Sequence, residues 1–285
     1  DRGLTECDKT LACGHPCFSS PDAACGPCLV EGCAANKSKQ VATDLCTICY
    51  VDELRGGSVA HLKCGHCFHV DCLRRKIQSK WPAARITFGY LNCPTCGQTA
   101  QCDALQELMA EHLDFRQAVR GKMLIRLKYE GLTQSDKLTD PKSPYYKNPL
   151  ALAEGTLAYY QCFTCSKPYF GGYQQCEAGN DDDESYNAEQ LICSGCVPSG
   201  DFQRCMIHGT DFIEYKCKYC CNVAVWYCWG TTHFCDMCHS PPRKSVRVEC
   251  PGEELCPLKL KHLPNGQEFA IGCALCRSND KEAKK

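Results

Sequence analysis

The chain has 285 residues, with 32 Lys and Arg against 33 Asp and Glu, and 30 of its residues are cysteine. So high a cysteine content excludes an ordinary hydrophobic-core protein. The near-neutral charge argues against a nucleic-acid reader, which carries a positive excess.

Disulfides and zinc are the two usual reasons for many cysteines, and they predict different company for them. Here the cysteines recur as Cys-x2-Cys pairs at 25/28, 46/49, 93/96, 162/165, 193/196, 217/220, 235/238 and 273/276, with histidines in ligand-like gaps at 15, 66, 69, 208, 233 and 262. That pattern is zinc chemistry. Each site can be filled by four protein ligands, so the metal is expected to be structural throughout. No run of 18 apolar residues is present and the charged start Asp-Arg-Gly is unlike a signal peptide. A reducing intracellular, cytoplasmic setting follows as the expectation, without membrane insertion or a nucleic-acid partner.

Residues 1–40 hold seven candidate ligands, Cys7, Cys13, His15, Cys17, Cys25, Cys28 and Cys33. They suffice for one tetrahedral site with three over, so one or two zinc ions are expected and the pairing stays open. Such a short segment buries little apolar area, so metal must supply much of its folding free energy.

Residues 44–97 read Cys46-x2-Cys49, Cys64-x-His66-x2-His69-x2-Cys72, Cys93-x2-Cys96. Eight ligands in this order resemble a RING domain with two central histidines. The resemblance implies two zinc ions in a cross-brace, one held by Cys46, Cys49, His69 and Cys72, the other by Cys64, His66, Cys93 and Cys96. Cys67 is a surplus thiol and the rival of His66. Ile48, Trp81 and Pro94 match the family's contact positions for a ubiquitin-conjugating enzyme. Leu73, Ile77 and Trp81 recur every four residues, as on one helix face, and Leu73 is better read as core. The position after the last ligand, basic in many RINGs that act directly on lysine, is Gly97.

Residues 103–131 place Leu105, Leu108, Met109, Leu113, Phe115, Val119, Met123, Leu124 and Leu127 at roughly helical spacing, with Gly131 as a stop. A helical linker over 103–160 is expected, with a Pro- and Ser-containing loop from Thr133 to Pro149 and a return to helix over 150–160.

From Cys162 the candidate ligands are Cys162, Cys165, Cys193, Cys196, Cys205, His208, Cys217, Cys220, His233, Cys235, Cys238, Cys250, Cys256, His262, Cys273 and Cys276. They are enough for about four tetrahedral sites, with Cys221 the alternative to His233. Cys176, Cys228 and His239 are left over. Cys176 lies in FGGYQQCEAGNDDDESYN, a polar stretch with little reason to pack. Cys228 ends the apolar run Val223–Tyr227, which reads as a short strand.

From the RING to about Cys276, and most closely over YYQCFTCSKPYFGG, GTDFIEYKCKYCCNVAV and CWGTTHFCDMCH, the sequence resembles the C-terminal catalytic module of the Pam/Highwire family of very large neuronal ubiquitin ligases. The resemblance implies a RING-Cys-relay enzyme. Its partners would be a ubiquitin-loaded conjugating enzyme, ubiquitin, and a protein substrate bearing Thr or Ser. Ubiquitin would pass to Cys176, then to Cys228, then as an ester to a hydroxyl, with His239 as base and Trp229 and Phe234 walling the threonine site. A neuronal, axonal location is part of the same implication. Gln190 stands where the family has glutamate, and Ser240-Pro241-Pro242 where it has an aromatic. The fold expected is a set of small zinc-stabilised α+β modules: an N-terminal zinc segment (1–40), a cross-brace RING (44–97), the helical linker (103–160), and a multi-zinc tandem-cysteine domain with short strands and long loops (161–280). A scaffold RING ligase with a zinc-rich substrate-binding region, and a zinc-ribbon module for nucleic acid or histones, are the alternatives.

Overall fold

The computed structural model describes residues 7–21, 23–173, 188–193, 196, 205–228, 232–240 and 247–277, with backbone alone at 190 and 228. The chain divides into two compact units, residues 1–82 with 87–118 and residues 83–86 with 119–285.

In the first unit, β1 (Val59–His61) pairs antiparallel with β2 (Cys67–His69) in the register Val59↔His69, Ala60↔Phe68, His61↔Cys67. Gly65, at φ +85°, makes the turn between them in a region that side chains with a Cβ avoid. The turn is closed by Leu62 N–H donating to the His66 carbonyl at 2.9 Å, and it carries Cys64 and His66 at its corners. The N-terminal segment lies along this hairpin. Val59 N–H donates to the Phe18 carbonyl at 2.6 Å and Lys39 N–H to the Gly65 carbonyl at 3.0 Å.

Helix α1 (Val70–Gln78) has Asp71 in its first turn and Arg75 and Lys76 in its last, matching the helix dipole. Val70, Leu73 and Ile77 bury one face, worth about 2 kcal/mol each. Lys76 Nζ caps a neighbouring loop by donating to the carbonyls of Tyr90 (2.6 Å) and Asn92 (3.1 Å). The helix ends before Lys80, whose φ is +57°. Trp81 therefore lies beyond the helix and not on its face, a correction to the four-residue periodicity. Pro82 explains it, since the residue before a proline is driven out of the helical region.

Helix α2 (Gln106–Tyr129) is continuous, and Gly131 follows its end at φ +71°. Its buried residues are Met109 and His112 in the stretch belonging to the first unit, and Val119, Met123, Arg126 and Leu127 in the stretch belonging to the second.

In the second unit, α3 (Asp136–Thr139) and α4 (Pro149–Thr156) come first. Asn148 caps α4, its Oδ1 accepting from Ala151 N–H at 3.0 Å, with proline at the helix start. The return to helix thus covers only 149–156. The aromatic stretch Leu157–Gln161 forms β3, which pairs antiparallel with β4 (Pro168–Tyr173). Tyr159 is 1% exposed there, and burial on a pleated face outweighs the helical reading. Strand β5 (Ile213–Tyr215) pairs with β8 (Ala270–Cys273), and β6 (Trp226–Cys228) with β7 (Thr232–Phe234), which leads into the single turn α5 (Asp236–His239).

β4 packs directly on β6 because glycines stand at 171 and 172. A Cβ at 172 would sit 2.8 Å from the Tyr227 amide nitrogen, and one at 171 would enter the Tyr160 ring. The cores of this unit are centred on cysteines: Cys217, Phe234, Cys235 and Cys238 in one; Cys162, Tyr169, Cys193 and Tyr227 in a second; Cys221, Cys256, Leu258 and Ile271 in a third. No helix among the described residues is long and apolar enough to cross a membrane.

Candidate functional site

Four ligands about 2.3 Å from one zinc ion stand about 3.8 Å apart at the corners of a tetrahedron. The cysteine and histidine side chains gather at this spacing. In the RING region, Cys46, Cys49, His69 and Cys72 form one set and Cys64, His66, Cys93 and Cys96 the other, the interleaving a cross-brace requires. His69 Nδ1 is 3.8 Å from Cys49 Sγ and 3.9 Å from Cys72 Sγ, while His66 Nδ1 is 3.6 Å from both Cys64 Sγ and Cys93 Sγ. Cys67, one residue on and the first of β2, is a member of neither set. Its buried thiol meets Ser38 Oγ at 2.9 Å and His61 Nδ1 at 3.4 Å, and burial pushes its pKa up.

In the second unit, Cys162, Cys165, Cys193 and Cys196 form one set and Cys205, His208, Cys273 and Cys276 another. Cys220 Sγ is 3.5 Å from Cys235 Sγ and 3.7 Å from Cys238 Sγ, with Cys217 hydrogen-bonded to Cys220. His262 Nε2 is 3.5 Å from Cys250 Sγ and 3.3 Å from Cys256 Sγ, and Cys221 contacts both thiols. Cys221 therefore takes the place offered to His233, which is the correction here. His233 Nδ1 is instead 2.7 Å from Glu268 Oε2, and its ring stacks between Tyr215 (3.9 Å) and Tyr227 (4.2 Å). Its register partner is Tyr227, which turns it toward the aromatic side of the hairpin.

At the N-terminus Cys13, His15, Cys28 and Cys33 form a set, and Cys7, Cys17 and Cys25 contact one another. Soft thiolates with imidazole in fours suit zinc. The local backbone favours the anionic sulfur that zinc needs. His208 N–H, donating to Cys205 Sγ at 3.3 Å, holds that thiol down to about 6. Hydrogen bonding with Cys220 brings Cys217 down to about 4 and pushes Cys220 up.

Of the positions proposed to meet a conjugating enzyme, Ile48 is half-buried and Pro94 exposed. Trp81 stacks on Phe115 at 5.9 Å, with Tyr90 at 6.1 Å. Tyr50 and Val51 beside Cys49 are 71% and 73% exposed. Both follow directly on the Cys46-x2-Cys49 knuckle. Gly97 has φ +72° and donates its N–H to the Cys93 carbonyl at 2.9 Å, so a bulkier residue there would be strained.

On the β6–β7 hairpin, Phe234 and His239 come together, their rings 6.0 Å apart and edge-on at 65°. His239 also stacks on Trp226 at 4.6 Å and 14°. The sequence had placed Trp226 only within a strand. Cys228 pairs with Thr232 across the hairpin. Cys176 and Trp229 lie outside the described residues, and Gln190 is described by its backbone alone.

The fold and its donor sets define a zinc-stabilised RING protein with a second, cysteine-rich unit. Residues 44–97 match the Ring finger domain family. Beyond that segment, the chain is 41% identical over 289 residues to E3 ubiquitin-protein ligase MYCBP2 of Danio rerio and 39% identical over 299 residues to E3 ubiquitin-protein ligase highwire of Drosophila melanogaster. Each match takes in 95% of this chain and 6% of the relative's length. The chain belongs to the Pam/Highwire family and corresponds to a short stretch of those much longer proteins.

Proposed function

We propose that the chain is a ubiquitin-transferring module of the RING-Cys-relay type. The RING engages a ubiquitin-loaded conjugating enzyme through Ile48, Trp81 and Pro94, in a cytoplasmic and, by family resemblance, neuronal setting. Ubiquitin moves by thioester exchange to Cys176 and then to Cys228. An acceptor threonine or serine hydroxyl then attacks the acyl carbon, forming the ester as the carbon–sulfur bond breaks. Its proton passes to the His239 imidazole, and Cys228 leaves as a thiolate that regains a proton from the imidazolium. A hydroxyl needs such a base at neutral pH, where an amine needs mainly approach. Zinc, where bound, holds the frame.

One observation carries this reading. Among the described residues, the four donor sets of the second unit are filled without His239, whose half-buried ring lies against Trp226 and Phe234, on the segment that continues from the strand paired with Cys228. Support also comes from the names of the relatives, both ubiquitin ligases, and from the match to the RING.

Hydroxylamine treatment of the products is the test, because it cleaves esters and spares isopeptides. Product formed with free threonine should be hydroxylamine-sensitive and should vanish in Cys228→Ala. Cys228→Ser should still permit loading of Cys176, and Cys176→Ser should hold ubiquitin as an oxyester at 176. Full threonine activity in Cys228→Ala would leave a scaffold RING ligase as the reading.

A further inference from the structure

We infer that Trp226, anchored by Asp236, is a positioning residue for hydroxyl transfer: it fixes the plane of the His239 imidazole. The inference rests on His239 being the base.

Three contacts carry it. The indole and imidazole rings lie 4.6 Å apart and 14° from parallel, a face-to-face stack. The indole Nε1–H donates to Asp236 Oδ1 at 2.7 Å, which fixes the rotamer of the tryptophan against the first residue of α5. On its remaining flank the indole meets the Tyr173 ring at 5.7 Å and 58°, and the Tyr173 hydroxyl donates to Glu130 Oε2 at 2.8 Å. Trp226 is thus held from both sides.

The backbone supports the same geometry. His239 N–H donates to the Cys235 carbonyl at 3.0 Å, and the flanking Cys235 and Cys238 are tied to the donor set of Cys217. The main chain is therefore fixed, yet a histidine ring still turns about two side-chain torsions. The indole face removes that freedom. Pre-setting the orientation of a reacting group is one of the larger contributions a protein makes to rate.

The experiment compares wild type, Trp226→Leu, Trp226→Phe, Asp236→Ala and His239→Asn, each zinc-loaded. It measures thioester formation from a ubiquitin-charged conjugating enzyme, its discharge onto threonine, and the carbon-bound proton resonances of His239. Trp226→Leu should slow discharge about tenfold with thioester formation unchanged, and the His239 resonances should lose the upfield displacement of the indole ring current. Trp226→Phe should recover part of both. Asp236→Ala, an exposed change that keeps the indole but removes the bond that sets its rotamer, should give a smaller loss and guards against misfolding of the leucine variant.

Unchanged discharge in Trp226→Leu, where His239→Asn is slow, would overturn the role of Trp226 and keep His239 as base. Unchanged discharge in His239→Asn would remove the base assignment, and this inference with it.

Discussion

Lys216 has no exposed surface, yet it carries an ammonium group. Its Nζ donates to the Cys217 carbonyl and to Asn265 Oδ1, both at 2.8 Å, and Asn265 Nδ2 in turn reaches Cys221 Sγ at 3.5 Å. The side chain thus lies between two donor sets rich in thiolate. Burial pushes its pKa down while the neighbouring thiolates pull the other way. A dication bound by four thiolates is still net negative, so the ammonium offsets charge that zinc alone leaves. Lys216→Met keeps the volume and removes the charge, taking the ammonium donor from the buried Cys217 carbonyl and from Asn265 Oδ1. It should cost roughly 2–3 kcal/mol, read as a lower denaturation midpoint, whereas Lys128→Met on the exposed face of α2 should change it by about 0.5 kcal/mol or less.

Among the elements, the contact of β4 with β6 deserves most from mutation because backbone meets backbone there. Gly172 has φ +121°, and its missing side chain leaves room for the Tyr227 amide. Gly172→Ala meets both obstacles, positive φ and a 2.8 Å approach to a main-chain atom that cannot swing aside. The expected loss is about 2–3 kcal/mol, seen as faster hydrogen exchange at Tyr227 and a lower midpoint; no change in either would mean that the strands do not meet. The strand pair also has a functional side. β4 ends at Tyr173, three residues before Cys176 in sequence, and β6 ends at Cys228. In the proposed relay, the two glycines set the backbone spacing between the stems of both thiols.

At the scale of the whole molecule, the sheets among the described residues are two-stranded, and seven of the twelve buried residues in the three cysteine-centred cores of the second unit are cysteines. Two-stranded pairs are marginal by themselves in water. Metal binding is then largely folding free energy. Titration with a strong chelator should therefore abolish the near-ultraviolet circular dichroism of the tyrosines and tryptophans together with zinc release. Fixed tertiary structure after complete zinc loss, measured on the same sample by elemental analysis, would refute that account. The absence of disulfides among the described residues fits the same chemistry, since every described cysteine is free to act as a thiolate.

Much of this was written in one dimension. Zinc ligands announce themselves because two thiolates closing on one ion need short, fixed spacing, and the RING order of Cys46 through Cys96 needs no fold to be read. The stop at Gly131 and the cap at Asn148 are likewise local events, decided by backbone preferences within a few residues. Partnerships across long stretches of chain are different. Cys221 rather than His233 joins Cys250, Cys256 and His262 because the hairpin register turns His233 toward Tyr227, Tyr215 and Glu268. Nothing in the spacing of either residue records that turn. Trp226 read as one more apolar strand residue, since its stack on His239 depends on how a hairpin and one helical turn fold over each other. The identity of most ligands was thus fixed by local chemistry, which acts over a few bonds. The pairing of ligands, and the surroundings of the imidazole, were decided by tertiary packing, which brings together residues that the sequence keeps far apart.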